Sequence, residues 1–378
     1  MIALVVVNHG ALATDEGAKI GSGGFGKRVQ KCRNHEQTVV LAGECCPKKG
    51  QSVAFINENH YHYVVSHVKH LKHIGRCVAA LAVVGFLATS CGGKGSTSVT
   101  ATDRPSVVVT YSILGALVRD VVGTSADVTV LMPDGSDPHE WQPSAKDIEK
   151  LQHADLVVTN GLGLEAGLVD VLKQADDDHV DIFVATDHIT PRRVGEGEGA
   201  DPTDEDQSVG AKDPHIWTDP SVMAEVVRAL GEKLSSINIE VSEQAAKVSE
   251  DLLTLDHNIE KSMSALDPAQ RLLITGHESL GYFARRYEFT LIGAIIPNLS
   301  SKSEASAADM TSLVEKIKTN QVQVIFTELG TSGDVADSLA KDAGVKVVEV
   351  STHVLPDDGS YATFMMNLAS TIVTALKS

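Results

Sequence analysis

Residues 241–263 read VSEQAAKVSEDLLTLDHNIEKSM. Ala245, Val248, Leu252, Leu255 and Ile259 recur at three- and four-residue spacings, the period of one apolar helix face. The run predicts a helix of about six turns, and what flanks it decides the fold. On its amino-terminal side, residues 106–111, 126–131, 156–159 and 180–185 are strand-like. Residues 113–122, 145–152 and 164–173 are helix-like, and a further helical pattern starts at Pro220. On its carboxyl-terminal side a second set begins at 271–275 and continues through strands at 291–296, 322–327 and 345–350 to a final helix over 361–376. Strands alternating with helices predict parallel α/β sheets with sites at the carboxyl ends of strands. The expected fold is therefore two α/β lobes (105–238 and 266–378) joined by one long, rigid helix (239–265), a joint favouring small closure over wide hinge opening.

Eight histidines follow Cys91, and four of them stand just beyond strands or at loop-to-helix turns. His139 lies in Asp137-Pro138-His139-Glu140-Trp141, and His215 in the near-copy Asp213-Pro214-His215-Ile216-Trp217. His277 follows residues 272–275 in Gly276-His277-Glu278, and His353 follows residues 345–350 in Ser351-Thr352-His353. Neutral imidazole is a common zinc ligand, and a closed tetrahedral site takes four donors. Two candidates from each lobe predict one metal held at the lobe interface, each ring oriented by a carboxylate or carbonyl on its other nitrogen. His153, His179, His188 and His257 lack that context and read as structural or exposed.

The chain of 378 residues carries a net charge of −18. Residues 1–91 hold 10 Lys and Arg against 5 Asp and Glu, leaving 22 against 45 in the rest. Such acidity argues against nucleic-acid binding through phosphates. All five cysteines lie at or before Cys91, which excludes disulfides and thiolate ligands from the lobes.

The basic stretch KHLKHIGR (69–76), the apolar run VAALAVVGFLAT (78–89) and Ser90-Cys91-Gly92-Gly93 have the order of a secretory signal. The apolar run is shorter than the roughly 20 residues a membrane span needs. Cys91 then matches the lipidated cysteine of a lipobox, and the Gly/Ser/Thr-rich residues 92–104 read as a flexible tether. Residues 1–68 read as an upstream extension, either non-native (with initiation near Val64 or Val68) or disordered; N-terminal sequencing of the precursor tests this, and recovery of Met1 contradicts the mis-start. Their GSGGFG (21–26) and the set Cys32, His35, Cys45, Cys46 imitate nucleotide and zinc motifs without the required context. The acidic segment EGEGADPTDEDQ (196–207) reads as a solvated loop, with a weak cation collector as the alternative.

The segments DPHE (137–140), NGLGLE (160–165), DPHIWTDP (213–220) and GHESLGYF (276–283) together resemble the zinc- and manganese-specific solute-binding proteins of ABC importers, over roughly residues 106–376. The resemblance implies two α/β lobes bridged by a long helix, with metal between them and His139, His215 and His277 as ligands. The family's usual fourth ligand is an aspartate after the last strand of the second lobe; here His353 stands at about that place, with Asp357 or Glu328 as alternatives. Histidine at 277, where manganese binders carry a carboxylate, points to zinc over manganese. The resemblance further implies a non-enzymatic monomer on the outer face of the membrane, anchored through Cys91 and serving an ABC permease and its ATPase. A secreted zinc hydrolase is the rival reading, with Glu278 or Glu140 as its base, although no HExxH is present. Protons should compete with the metal as pH falls through the histidine range.

Overall fold

The computed structural model describes residues 104–195 and 208–378, preceded by the backbone of four short strands. These are β1 (Gln30–Asn34), antiparallel to β2 (Gln37–Leu41), and β3 (Ala54–Phe55), antiparallel to β4 (Tyr63–Val64). The glycine motif at 21–26, His35, Cys45, Cys46, the signal stretch with Cys91, the tether up to residue 103 and the acidic segment 196–207 lie outside the described residues.

The first lobe is built on four parallel strands: β5 (Ser106–Val109), β6 (Asp127–Val130), β7 (Leu156–Thr159) and β8 (Ile182–Val184). They are ordered β6-β5-β7-β8. Every residue of β7 is buried, as its unbroken apolar run implies for a strand covered on both faces. Between the strands run α1 (Ser112–Val122), α2 (Ala145–Gln152) and α3 (Val169–Asp177). Helix α2 opens on a capping box in which Ser144 and Asp147 satisfy each other's backbone N–H. Helix α3 starts five residues later than the periodicity over 164–173 suggests. Gly161, Leu162 and Gly163 all have positive φ (93°, 55° and 73°), and the Glu165 side chain folds back onto the end of β7, so the chain turns before it can coil.

Helix α4 (Pro220–Ser236) begins with Asp219 as N-cap and proline at its first position. The long helix read from residues 241–263 is α5 (Ser242–Met263), with Ala245, Val248, Leu252, Leu255 and Ile259 buried. It packs along α4, where Gly231 lets Ala245 approach. Ser249 Oγ donates to the Ala224 carbonyl of α4. Asp256 accepts from Arg286 Nη2 and from the Tyr287 hydroxyl of the second lobe. The helix is thus tied to both sides by buried polar contacts, the arrangement expected of a stiff joint.

The second lobe carries β9 (Leu272–Thr275), α6 (Gly281–Arg286), β10 (Thr290–Ala294), α7 (Ala307–Asn320), β11 (Val324–Thr327), α8 (Gly333–Ala343), β12 (Lys346–Glu349) and α9 (Tyr361–Lys377). Parallel pairs β10-β9 and β11-β12 lie with β9 beside β11, which repeats the spatial order of the first lobe. Helix α9 returns to pack on α5 and α1. One apolar core accordingly runs from β5 through α4 and α5 to α6 and α9. A smaller core, including Ile274, Leu313, Ile317, Ile325 and Leu339, fills the space between the second sheet and α7 and α8.

Candidate metal centre

The carboxyl ends of the strands of both lobes supply the site, beginning with the two Asp-Pro-His turns. After β6 the chain stays bonded to β5 through Leu131 and Met132, then turns through Asp137. One Asp137 oxygen accepts the His139 backbone N–H at 2.9 Å, and the other accepts Ser301 Oγ of the second lobe at 2.6 Å. A short acceptor side chain reaching its own backbone two residues on is what aspartate does in turns. Asp213 does the same for His215 N–H at 2.9 Å, and the same oxygen lies 2.8 Å from the ring Nδ1 of His215. Its other oxygen pairs with Arg192 Nη1 at 3.0 Å, all of it buried. The near-identical motifs therefore hold their histidines differently: Asp137 fixes the backbone, whereas Asp213 also fixes the ring.

NGLGLE supports this arrangement from beneath. Buried Glu165 accepts from Thr110 Oγ1, Thr159 Oγ1 and the Asn160 and Gly161 N–H groups. Asn160 then donates from Nδ2 to the Pro214 carbonyl, one residue before His215, and accepts from the Tyr111 hydroxyl. Trp217, fully buried, packs against the His215 and His353 rings and donates Nε1–H to the Thr352 carbonyl at 2.9 Å.

In the second lobe one carboxylate does the orienting. Glu328, directly after β11 and buried, accepts the His277 backbone N–H at 3.2 Å, Ser279 Oγ at 2.7 Å and Thr352 Oγ1 at 2.6 Å. The His277 Nδ1 lies 3.1 Å from Glu328 Oε1. Thr352 Oγ1 in turn lies 2.8 Å from the Nδ1 of His353. Gly276 makes room for this, since a Cβ there would stand 3.0 Å from Glu328 Cγ and collide with Thr331 Oγ1. Gly281 likewise lets α6 approach the Arg192–Asp213 pair, and the Tyr282 hydroxyl accepts the Arg192 N–H at 2.9 Å. Each of Gly276, His277, Ser279, Gly281 and Tyr282 in GHESLGYF thereby acquires a physical reason.

His139, His215 and His277 bring their ring nitrogens together in the interior. The Nε2 of His215 lies 3.2 Å from that of His139 and 3.3 Å from that of His277, and all three residues are buried. Asp213 accepting at His215 Nδ1 places that ring's proton there, and Glu328 at 3.1 Å from His277 Nδ1 favours the same tautomer, so in the neutral rings the lone pairs fall on the converging Nε2 atoms. Two facing lone pairs repel unless a cation lies between them. A tetrahedral ion with nitrogen ligands at about 2.0–2.1 Å has edges of about 3.3 Å, which the observed separations match. His353 stands beside this trio, its ring near-parallel to that of His277 with centroids 6.2 Å apart. Its buried Nε2 has no hydrogen-bond partner among the described residues.

The electrostatics divide the same histidines. Burial, with the neighbouring His215, His277 and His353, holds the His139 pKa well below the ordinary imidazole value. Burial pushes His353 down to about 4, against the pull of Glu328. Burial also opposes charge on His277, but Glu328 outweighs it and raises that pKa. Glu328 itself is held far below the usual carboxylate range: burial works against its charge, and His277, His353 and Ser279 overcome it.

Of the alternatives read for the fourth ligand, Glu328 is bonded as described, and Asp357 is exposed. The neighbouring Asp358 caps α9 through Ser360 and Thr363. His153, His179, His188 and His257 are exposed and apart from the cluster. The sequence offered no signal for Arg192; Tyr282 is visible only as part of GHESLGYF, and Thr352 only as the neighbour of His353.

Residues 107–375 match the family model described as zinc-uptake complex component A, periplasmic. The chain is 28% identical to the zinc-binding protein TroA of Treponema pallidum over 81% of its own length and 98% of that protein. It is 25% identical to the manganese-binding lipoprotein MntA of Halalkalibacterium halodurans over 78% and 96%. Among solved structures, periplasmic TroA superposes with a TM-score of 0.62 and 26% identity, covering 72% of this chain and 99% of that one.

Proposed function

Because the chain belongs to the zinc-uptake complex component A family of periplasmic proteins, we propose that it captures one zinc ion on His139, His215, His277 and His353 and delivers it to an ABC importer. The observation that carries this reading is the convergence of three buried Nε2 atoms at 3.2 and 3.3 Å, two of them held as lone-pair donors by carboxylates. His353 completes the shell. Glu328 already accepts from the His277 backbone N–H, Ser279 Oγ and Thr352 Oγ1 and faces His277 Nδ1 at 3.1 Å, so it supports ligands rather than joining them. Asp357 faces solvent.

The cargo follows from the donor set. Four imidazoles suit zinc, whereas manganese prefers oxygen-rich shells. The relatives include both zinc and manganese binders, so the nitrogen count is what separates the two for this chain. Capture needs no chemical transformation: neutral rings accept the ion, the lobes settle around it, and a permease with its ATPase receives it. Cys91 anchors the protein to the outer face of the membrane as a lipoprotein.

The test is metal content of the full chain, purified without chelator or affinity histidines, beside a His139→Ala/His277→Ala double variant. About one zinc per chain, absent from the variant, is the expected result. Wild-type protein that is metal-free and refuses added zinc would overturn the assignment.

A further inference from the structure

An imidazole ligand poses a problem that a carboxylate ligand does not: only one of its two nitrogens can offer a lone pair, and which one is decided by the partner of the other. For His353 that partner is not a carboxylate but the hydroxyl of the residue before it, Thr352. A hydroxyl can donate or accept, so by itself it leaves the His353 tautomer open. Its remaining contact removes the freedom. Thr352 Oγ1 lies 2.6 Å from Glu328 Oε2, and an ionised carboxylate only accepts. The single hydroxyl proton therefore points at Glu328, and the Thr352 oxygen presents a lone pair to His353 Nδ1. That nitrogen must carry the proton, and the lone pair of His353 falls on Nε2, the buried atom without a hydrogen-bond partner among the described residues.

We propose that Glu328 is the shared positioning residue of the second-lobe half-site, setting the tautomer of His277 directly and that of His353 through the Thr352 hydroxyl. The two ligands of this lobe are thereby prepared as a unit by one carboxylate. The third donor to Glu328, Ser279 Oγ, and the His277 N–H restrain the carboxylate itself. Thr352 is fixed independently by its backbone carbonyl, which receives Trp217 Nε1–H. The hydroxyl is consequently held in line between Glu328 and His353, where a displaced loop would lose both bonds. Neither Glu328 nor Thr352 touches the ion; both act through the rings.

This inference rests on His353 being a ligand, and the experiment separates the two claims. Zinc affinity is measured by competition with a chromophoric chelator, and cobalt(II) absorption reports the donor set, for the full-length wild type and for Thr352→Val, Thr352→Ser, His353→Ala and Thr352→Val/His353→Ala. Thr352→Val keeps the side-chain shape and removes the relay. It is expected to weaken zinc by about 10–100-fold and to move the cobalt spectrum toward that of His353→Ala. Thr352→Ser is expected to restore both. The double variant should bind no more weakly than His353→Ala alone, because a missing ring has no tautomer to set. Wild-type affinity and spectrum in Thr352→Val, with His353→Ala impaired, would overturn the relay and leave His353 as a ligand. A His353→Ala protein indistinguishable from wild type would remove the ligand assignment and the relay with it. Thermal melting of the metal-free variants shows whether each is folded.

Discussion

The two halves of the candidate metal centre hold their histidines by different wiring. In the first lobe each histidine has its own aspartate two residues earlier, so Asp137 serves His139 and Asp213 serves His215. In the second lobe a single Glu328, 51 residues beyond His277 and 24 before Thr352, serves both rings. The first arrangement is local and divides the work; the second is long-range and pools it. A local partner is rebuilt whenever the turn forms, whereas a shared one exists only after β9, β11 and β12 have assembled side by side. The comparison predicts independent losses in one lobe and coupled losses in the other.

The largest effect is expected from Glu328→Gln. An amide presents a donor where the oxygens now only accept, so both second-lobe rings lose their fixed tautomers. Zinc affinity should fall by about 10–100-fold for each ring affected, and the loss should overlap with that of Thr352→Val rather than add to it. Additive losses would mean that the two histidines are held separately.

Within the first lobe, Asp213→Asn should weaken zinc by about 10–100-fold and Asp137→Asn by less, because Asp213 contacts the ring of His215 and Asp137 only the backbone of His139. Asp213→Asn also removes the carboxylate charge that pairs with buried Arg192, so the melting temperature should drop. Equal affinity losses from the two aspartates would erase the distinction drawn between their turns.

The pH dependence sharpens the contrast. His277 has a raised pKa, so in the metal-free protein it keeps its proton to higher pH than an ordinary histidine, and that proton must leave before the ion can bind. His139 and His353, with lowered values, remain neutral further into acid. Affinity should therefore decline from near neutrality downward, by about tenfold per pH unit for one displaced proton, and calorimetry in buffers of different ionisation enthalpy should register its release. An affinity unchanged between pH 7.5 and 5.5 would contradict the placement of His277. The smallest effect is expected of Asp357→Asn, which should leave zinc binding unchanged within twofold; a tenfold loss would return that exposed carboxylate to the ligand set.

What the sequence showed and what it hid follow the same division. The α/β alternation and the long helix were legible because apolar periodicity is local, and α5 lies within one residue of the run that predicted it. The four histidines drew attention because each stands beyond a strand or at a loop-to-helix turn; the structure brings the ring nitrogens of His139, His215 and His277 together, with His353 beside them. Residues 164–168 were misread as helix because the deciding contact, Glu165 gathering donors from Thr110 and Thr159, joins segments far apart in the chain. Glu328 was noticed as a carboxylate ending a strand and read as a possible ligand. Only the structure shows its lone pairs taken by His277, Ser279 and Thr352. Arg192 gave no sign, since its partners Asp213 and Tyr282 stand 21 and 90 residues away along the chain.

The most direct test of the central claim is zinc K-edge absorption on the loaded protein, which counts the ligands and measures their distances. Four nitrogen donors of imidazole type at about 2.0–2.1 Å are expected. A five- or six-coordinate shell dominated by oxygen would contradict the four-histidine site.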